Sequence, residues 1–276
     1  MPHQGGRHDL ALHRPPDGGA VAGPILAIKD VTVRFGGIVA LNGVSFEVKR
    51  SEICGLIGPN GAGKTTLFNC LSRLYRLAAG DIIFNGIRLA DIPVYRVAEI
   101  GIGRTFQNLA LFPSLNVLEN IMLGGHCRTR SGFMAQALAA PRVEREEKHL
   151  LNRARELVEF VNLQHVTERP VGDLPFGYQK RVELARALAS EPKLLLLDEP
   201  AAGLNRDEVE VLRALIWRIR DDFGITVLLV EHHMHLVMTA SDTVVALNFG
   251  RKIAEGSPAE VQGEPDVISA YLGRTH

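Results

Sequence analysis

The stretch Gly58-Pro59-Asn60-Gly61-Ala62-Gly63-Lys64-Thr65, continued by Thr66, decides how this chain folds. It matches G-x-x-x-x-G-K-[ST], and its neighbours supply the context such a loop requires. The apolar run Ile53–Ile57 before it reads as a buried strand, and an apolar-periodic helix runs from about Lys64 to Leu74 after it. Gly58, Gly61 and Gly63 permit tight turns and close approach of the backbone to phosphate oxygens. The loop amides and the helix N-terminus offer partial positive charge to an anion. Lys64 is long enough to reach β- and γ-phosphates, and the Thr65 hydroxyl suits Mg2+. The whole stretch from Gly58 to Thr66 is therefore expected to hold a nucleotide, with Lys64 also serving its chemistry.

A second signal is Leu194-Leu195-Leu196-Leu197-Asp198-Glu199-Pro200. An apolar strand ending in two carboxylates is poor core design, because neither acid can be buried uncompensated. Downstream of a phosphate loop, Asp198 is expected at the Mg2+, directly or through water. Glu199 is expected to polarise the attacking water as general base.

Working outward, Leu26–Phe35 and Val44–Val48 alternate apolar and polar residues as half-buried strands do, with a turn at Gly36-Gly37. Ile82–Phe84 followed by Asn85-Gly86 predicts a strand ending in a hairpin turn. From about Val117 to Leu188 the pattern is helical, and Glu144–Val161 forms an amphipathic helix. Strand patterns return at Leu194–Leu197, Thr226–Val230 and Val244–Leu247. A helix over Asp207–Asp222, capped by Asn205, lies between the first two. Strands alternating with helices predict a mostly parallel sheet covered on both faces, with the helical middle inserted into it.

Composition narrows the function classes. Among 276 residues, 31 Lys and Arg balance 31 Asp and Glu, so bulk charge gives no support for non-specific nucleic-acid binding. Three cysteines, Cys54, Cys70 and Cys127, are too few and too scattered for a disulfide framework or a zinc site. No apolar run is long enough for a membrane helix, so any link to a membrane is expected to run through a partner or a surface contact. Residues 1–24, rich in Gly, Pro, His and Arg, are expected to form a mobile tail without the apolar centre of a secretory signal.

With the phosphate loop and the acid-tipped strand in place, residues 25–274 resemble an ATP-binding cassette (ABC) ATPase. The resemblance implies an α/β fold: a P-loop NTPase (RecA-like) core with a mainly parallel sheet, an antiparallel β subdomain and an inserted α-helical subdomain. It implies a core of residues 25–104 and 189–276 with a helical insertion over about 105–188. It also implies ATP and Mg2+. Phe35 matches the aromatic that stacks on adenine, with Val39 adding apolar contact. Gln107, in Arg104-Thr105-Phe106-Gln107, matches the glutamine that senses the metal and joins it to the insertion. His232, after Val230-Glu231, matches the histidine that contacts the γ-phosphate, whereas the nearby His233 and His235 read as helix surface.

The signature loop of that family usually reads Leu-Ser-Gly-Gly-Gln, but here Leu174-Pro175-Phe176-Gly177-Tyr178 stands in its place. Pro175 offers neither a hydroxyl nor a backbone N–H, so phosphate recognition is left to the backbone around Phe176, Gly177 and Tyr178. Unequal ATP sites in a pair of different cassettes are one expected consequence. Similarly, Gly203-Leu204-Asn205 ends in Asn where the family usually has Asp.

Phe35-Gly36-Gly37, Asp198–Asn205, Val230–Met238 and Ala270-Tyr271-Leu272-Gly273 further resemble the cassettes that power uptake of branched-chain amino acids. That branch implies two membrane permease subunits, a second cassette (identical or different) and, indirectly, an extracytoplasmic substrate-binding protein. It places the chain at the cytoplasmic face of the inner membrane and implies no nucleic-acid partner. Other cargo, such as urea, amides or an exported lipid, fits the same motifs. A soluble ABC ATPase acting on nucleic acid or the ribosome is a further alternative, though the chain has one cassette and a short insertion.

Overall fold

Strand β7 (Leu194–Asp198) shows how the long apolar runs are accommodated. Side chains alternate across a strand, so a run that is apolar throughout needs cover on both faces. Leu194 and Leu196 join one hydrophobic core and Leu195 and Leu197 join another on the opposite face. The chain is seen here in a computed structural model that describes residues 23–105, 109–128 and 141–272. Residues 1–22, most of the expected tail, lie outside the described residues, as do Gln107 and Gly273.

Two sheets form the framework. The first is antiparallel, with order β2-β1-β4-β5, built from β1 (Leu26–Phe35), β2 (Ile38–Val48), β4 (Ala79–Phe84) and β5 (Ile87–Arg88). The second has order β10-β9-β3-β8-β7-β6, with β3 (Ile53–Ile57), β6 (Ile102–Arg104), β8 (Thr226–Val230), β9 (Thr243–Asn248) and β10 (Arg251–Gly256). All of its pairings are parallel except β9 with β10. On one face it packs against α1 (Lys64–Leu71) and the antiparallel sheet, through Leu67, Phe68, Leu71, Val31 and Phe84. On the other it meets α2 (Val117–Gly124), α3 (Pro141–Phe160), α4 (Phe176–Ala189) and α5 (Arg206–Phe223). A third, smaller core joins Ile57 to α6 (Met234–Ala240), α7 (Pro258–Gly263) and α8 (Pro265–Leu272).

The α/β fold expected from the sequence is the one observed, with local corrections. Helix α1 ends at Leu71, not Leu74. Arg73 adopts φ 61°, and the bonds Leu74 N–H to Asn69 O and Arg73 N–H to Cys70 O close a Schellman turn. No glycine announces this stop. Strand β2 begins at Ile38, six residues before the expected Val44, because its pairing with β1 carries register shifts that blur the alternation. Strands β5, β6 and β10 carry no clear sequence signal; β6 is only 3 residues long. The Asn85-Gly86 turn has φ 50° and 80°, as a tight hairpin demands. Cys54 and Cys70 are buried and free, and burial pushes the Cys70 thiol up to about 12.

Candidate functional site

Parallel neighbours β3, β8, β7 and β6 all point their carboxyl ends to one edge of the sheet. That edge of an open α/β sheet is where ligands bind, because the loops leaving adjacent strands converge there. β3 delivers the phosphate loop, β7 delivers Asp198 and Glu199, β8 delivers Glu231 and His232, and β6 delivers Arg104 and Thr105.

The loop from Gly58 to Gly63 enters α1 with Gly63 as N-cap in a left-handed conformation. No acidic residue occupies the first turn of α1, so its N-terminal charge stays available to an anion. Gly58 has φ 152°, and a Cβ there would lie 2.3 Å from the Leu247 carbonyl oxygen. The Lys64 side chain is folded back into the loop, donating to Gly58 O at 2.6 Å and Pro59 O at 3.1 Å. Burial lowers the Lys64 pKa, while Glu199 and Asp198 oppose the shift. Ala62 is buried, Thr66 half-buried, and Asn60, Gly61 and Thr65 line the open side with Pro59.

Asp198 is 1% exposed. Its Oδ2 accepts from Arg104 Nη2 at 2.8 Å, and its amide donates to Thr105 Oγ1 at 3.4 Å. Burial raises the Asp198 pKa and Arg104 pulls it back. Its Oδ1 is buried without a hydrogen-bond partner. Arg104 is itself fixed by Asn69 Oδ1 and Ser72 Oγ, each at 2.9 Å, at the end of α1. The guanidinium thus ties the acid-tipped strand to the helix that follows the phosphate loop.

Glu199 follows directly, with φ 49° and its amide donating to Val230 O at 2.8 Å. The left-handed turn swings its side chain out of the strand, and His232 Nε2 lies 2.7 Å from its Oε1. A carboxylate only accepts, so the histidine nitrogen donates. The structure therefore brings Lys64, Asp198, Glu199 and His232 into one site.

Phe35 and Val39 are exposed, and the Phe35 ring meets Tyr75 edge-on at 5.0 Å. An exposed aromatic is not core packing, so this face is free to stack. Pro175 is the N-cap of α4 and makes no side-chain cap. Its carbonyl accepts from Tyr178 N–H at 2.9 Å and Gln179 N–H at 3.2 Å. Phe176 and Gly177 lie against the loop leaving β7 and the first turn of α5: a Cβ on Gly203 would lie 2.8 Å from Phe176, and one on Gly177 would lie 2.2 Å from Glu208. Tyr178 packs between His165 and Arg181. His233 and His235 are exposed. Gln107 is outside the described residues. No sequence motif singles out Arg104, Thr105 or Glu231. Arg104 and Thr105 do lie in the quoted Arg104–Gln107 stretch, and Glu231 lies next to His232.

Fold and site together define a P-loop ATPase cassette. The family model described as ABC transporter matches residues 41–202, and one described as branched-chain amino acid ATP-binding cassette transporter matches residues 251–276. The high-affinity branched-chain amino acid transport ATP-binding protein BraF of Pseudomonas aeruginosa is 42% identical over 250 residues, 91% of this chain and 98% of BraF. An ATP-binding cassette of an ABC transporter solved in its ADP conformation superposes with TM-score 0.79 at 30% identity, over 91% of this chain and 100% of that one. A cassette solved as a dimer in a post-hydrolysis state, bound to ADP and Pi, gives TM-score 0.71 at 26% identity, over 84% and 98%. The chain belongs to the ABC transporter family, as one of its ATP-binding and ATP-hydrolysing subunits.

Proposed function

We propose that this cassette energises import of branched-chain or related amino acids, with Glu199 as general base and His232 as its partner. The contact of 2.7 Å between these two side chains, beside the Lys64 loop, carries the site assignment. The cargo rests on similarity to BraF and on the match over residues 251–276. Residues 25–104 and 189–276 are read as the core, and about 105–188 as the helical insertion.

In this reading the backbone N–H groups of the stretch Gly58–Thr66, which Pro59 alone lacks, and the Lys64 ammonium hold the triphosphate, and Phe35 and Val39 hold the adenine. Thr65, Asp198 and Gln107 are the candidates for Mg2+, and the buried Asp198 Oδ1 without a partner suits a cation. When bound, the ion neutralises charge on the β- and γ-phosphate oxygens. His232 Nε2–H engages Glu199 Oε1 and leaves Oε2 for the nucleophilic water. Glu199 accepts a proton from that water as its oxygen bonds to the γ-phosphorus and the bond to the ADP oxygen breaks.

A second cassette completes the site in this reading. The uncapped amides of Phe176 and Gly177 at the start of α4 face the partner's γ-phosphate in place of a signature serine. Two permease subunits, with a substrate-binding protein beyond them, hold the chain at the cytoplasmic face of the inner membrane. A cleft of about 410 Å3, lined by Val94, Tyr95, Leu123 and Arg186 among others, offers them a seat. No helix among the described residues is long and apolar enough to cross a membrane.

Replacing Glu199 by Gln should lower turnover by about 100- to 10,000-fold while ATP still binds. A variant that hydrolyses ATP at the native rate would refute the base assignment.

A further inference from the structure

Glu231 is a carboxylate buried to 3% exposure at the end of β8, with no lysine or arginine among the described residues in hydrogen-bond contact. Its partners are three backbone amides from two different loops. Oε1 accepts from Ala201 N–H at 2.6 Å, in the loop leaving β7. Oε2 accepts from His232 N–H at 3.0 Å and His233 N–H at 3.2 Å, in the loop leaving β8. Those loops carry Glu199 and His232, whose side chains meet at 2.7 Å. One side chain therefore pins both loops from behind while their functional groups touch in front.

We propose that Glu231 is a positioning residue for hydrolysis, holding Glu199 and His232 in register by accepting the amides of Ala201, His232 and His233. Chemistry explains why the position is an acid. Three donors converge on two oxygens, so both must be acceptors, which a carboxylate provides and a carboxamide does not. A glutamine of the same shape sets an NH2 group against at least one N–H and leaves a buried donor unpaired. Burial pushes the Glu231 carboxyl up, and the amides of Ala201, His233 and His232 pull it back. The left-handed backbone of Glu199 adds to the need for a clamp, since φ 49° is unfavourable for a non-glycine residue.

This inference rests on the assignment of Glu199 and His232 given above, and the test separates the two. ATP dissociation constant, turnover per titrated ATP site and thermal midpoint are measured on the full chain for E231Q, E231D, E199Q and H232A. E231Q is expected to lose about ten- to hundredfold in turnover per site, because small misplacement of reacting groups is costly. Its ATP affinity should stay within about twofold, because the phosphate loop is untouched. E231D keeps two acceptor oxygens one methylene further back and is expected to recover part of the loss. Native turnover per site in E231Q, or turnover and ATP affinity falling together, overturns the proposal. Should E231Q not accumulate as folded protein, E231D is judged by the same criteria, native turnover again overturning it. Native turnover in E199Q or H232A instead overturns the underlying assignment, whatever Glu231 does.

Discussion

Arg104 and Asp198 are 94 residues apart in sequence, yet Arg104 Nη2 lies 2.8 Å from Asp198 Oδ2 in a nearly dry environment. The side chains are 11% and 1% exposed. This ion pair lets the β7 strand end in an acid inside the molecule. It consumes one carboxylate oxygen and leaves the other buried without a hydrogen-bond partner.

Removing the cation should therefore cost far more than losing a surface ion pair. Arg104→Met is expected to destabilise the chain by about 3–5 kcal/mol near neutral pH, because it strands a buried charge. The pH dependence has a definite sign. Burial already holds the Asp198 pKa above its ordinary value, with Arg104 opposing the shift, so the substitution raises it further. An acid whose folded pKa exceeds its unfolded one destabilises the fold when ionised. The deficit of the variant should shrink as pH falls below the folded pKa towards the unfolded value, and grow as pH rises. Denaturant titrations across that range check this; a pH-independent deficit would sink the account.

Two phosphate-loop glycines should respond differently to alanine. At Gly58 a Cβ meets the Leu247 carbonyl oxygen at 2.3 Å, and that backbone belongs to β9. Gly58→Ala is expected to abolish ATP binding or folding. Gly61 has φ 82° but nothing within 4 Å of the added carbon. Gly61→Ala should remain folded, losing about 1–2 kcal/mol for the left-handed backbone alone. Thermal unfolding with and without ATP distinguishes the two outcomes.

Asn205 caps α5 by accepting from Glu208 N–H at 3.0 Å, and its own amide donates to Glu208 Oε2 at 2.9 Å. Asn205→Ala should lower stability by about 1 kcal/mol. The urea midpoint should drop with unchanged slope. An unaltered midpoint would show that the capping box contributes nothing at this helix.

Much of the architecture was legible because its signals are local. Thr226–Val230 reads as a strand from its own residues, and Asn205 announces α5 by its type and by the apolar stripe that follows. The phosphate loop, Asp198, Glu199 and His232 are marked by motif and by resemblance. Helix α1 ended early because Arg73 takes a left-handed turn that ordinarily calls for glycine. The three-residue strand β6 had too little length to show a period. Arg104 and Glu231 carry no such local signal, because their telling partners, Asp198 and the Ala201 amide, arrive from another strand and its loop.

The sequence by itself determined that this chain binds a nucleotide phosphate and that two acids follow an apolar strand, since loop conformation and periodicity are properties of neighbouring residues. Only the tertiary structure decided how those acids are tolerated and aimed. One Asp198 oxygen is neutralised by Arg104, Glu199 is turned towards His232, and Glu231 gathers the amides behind them. Those relationships depend on the order β3-β8-β7-β6, which sets distant segments side by side at one sheet edge. Burial there makes every unpaired polar group costly, so the partners become evident only once the strands are in place.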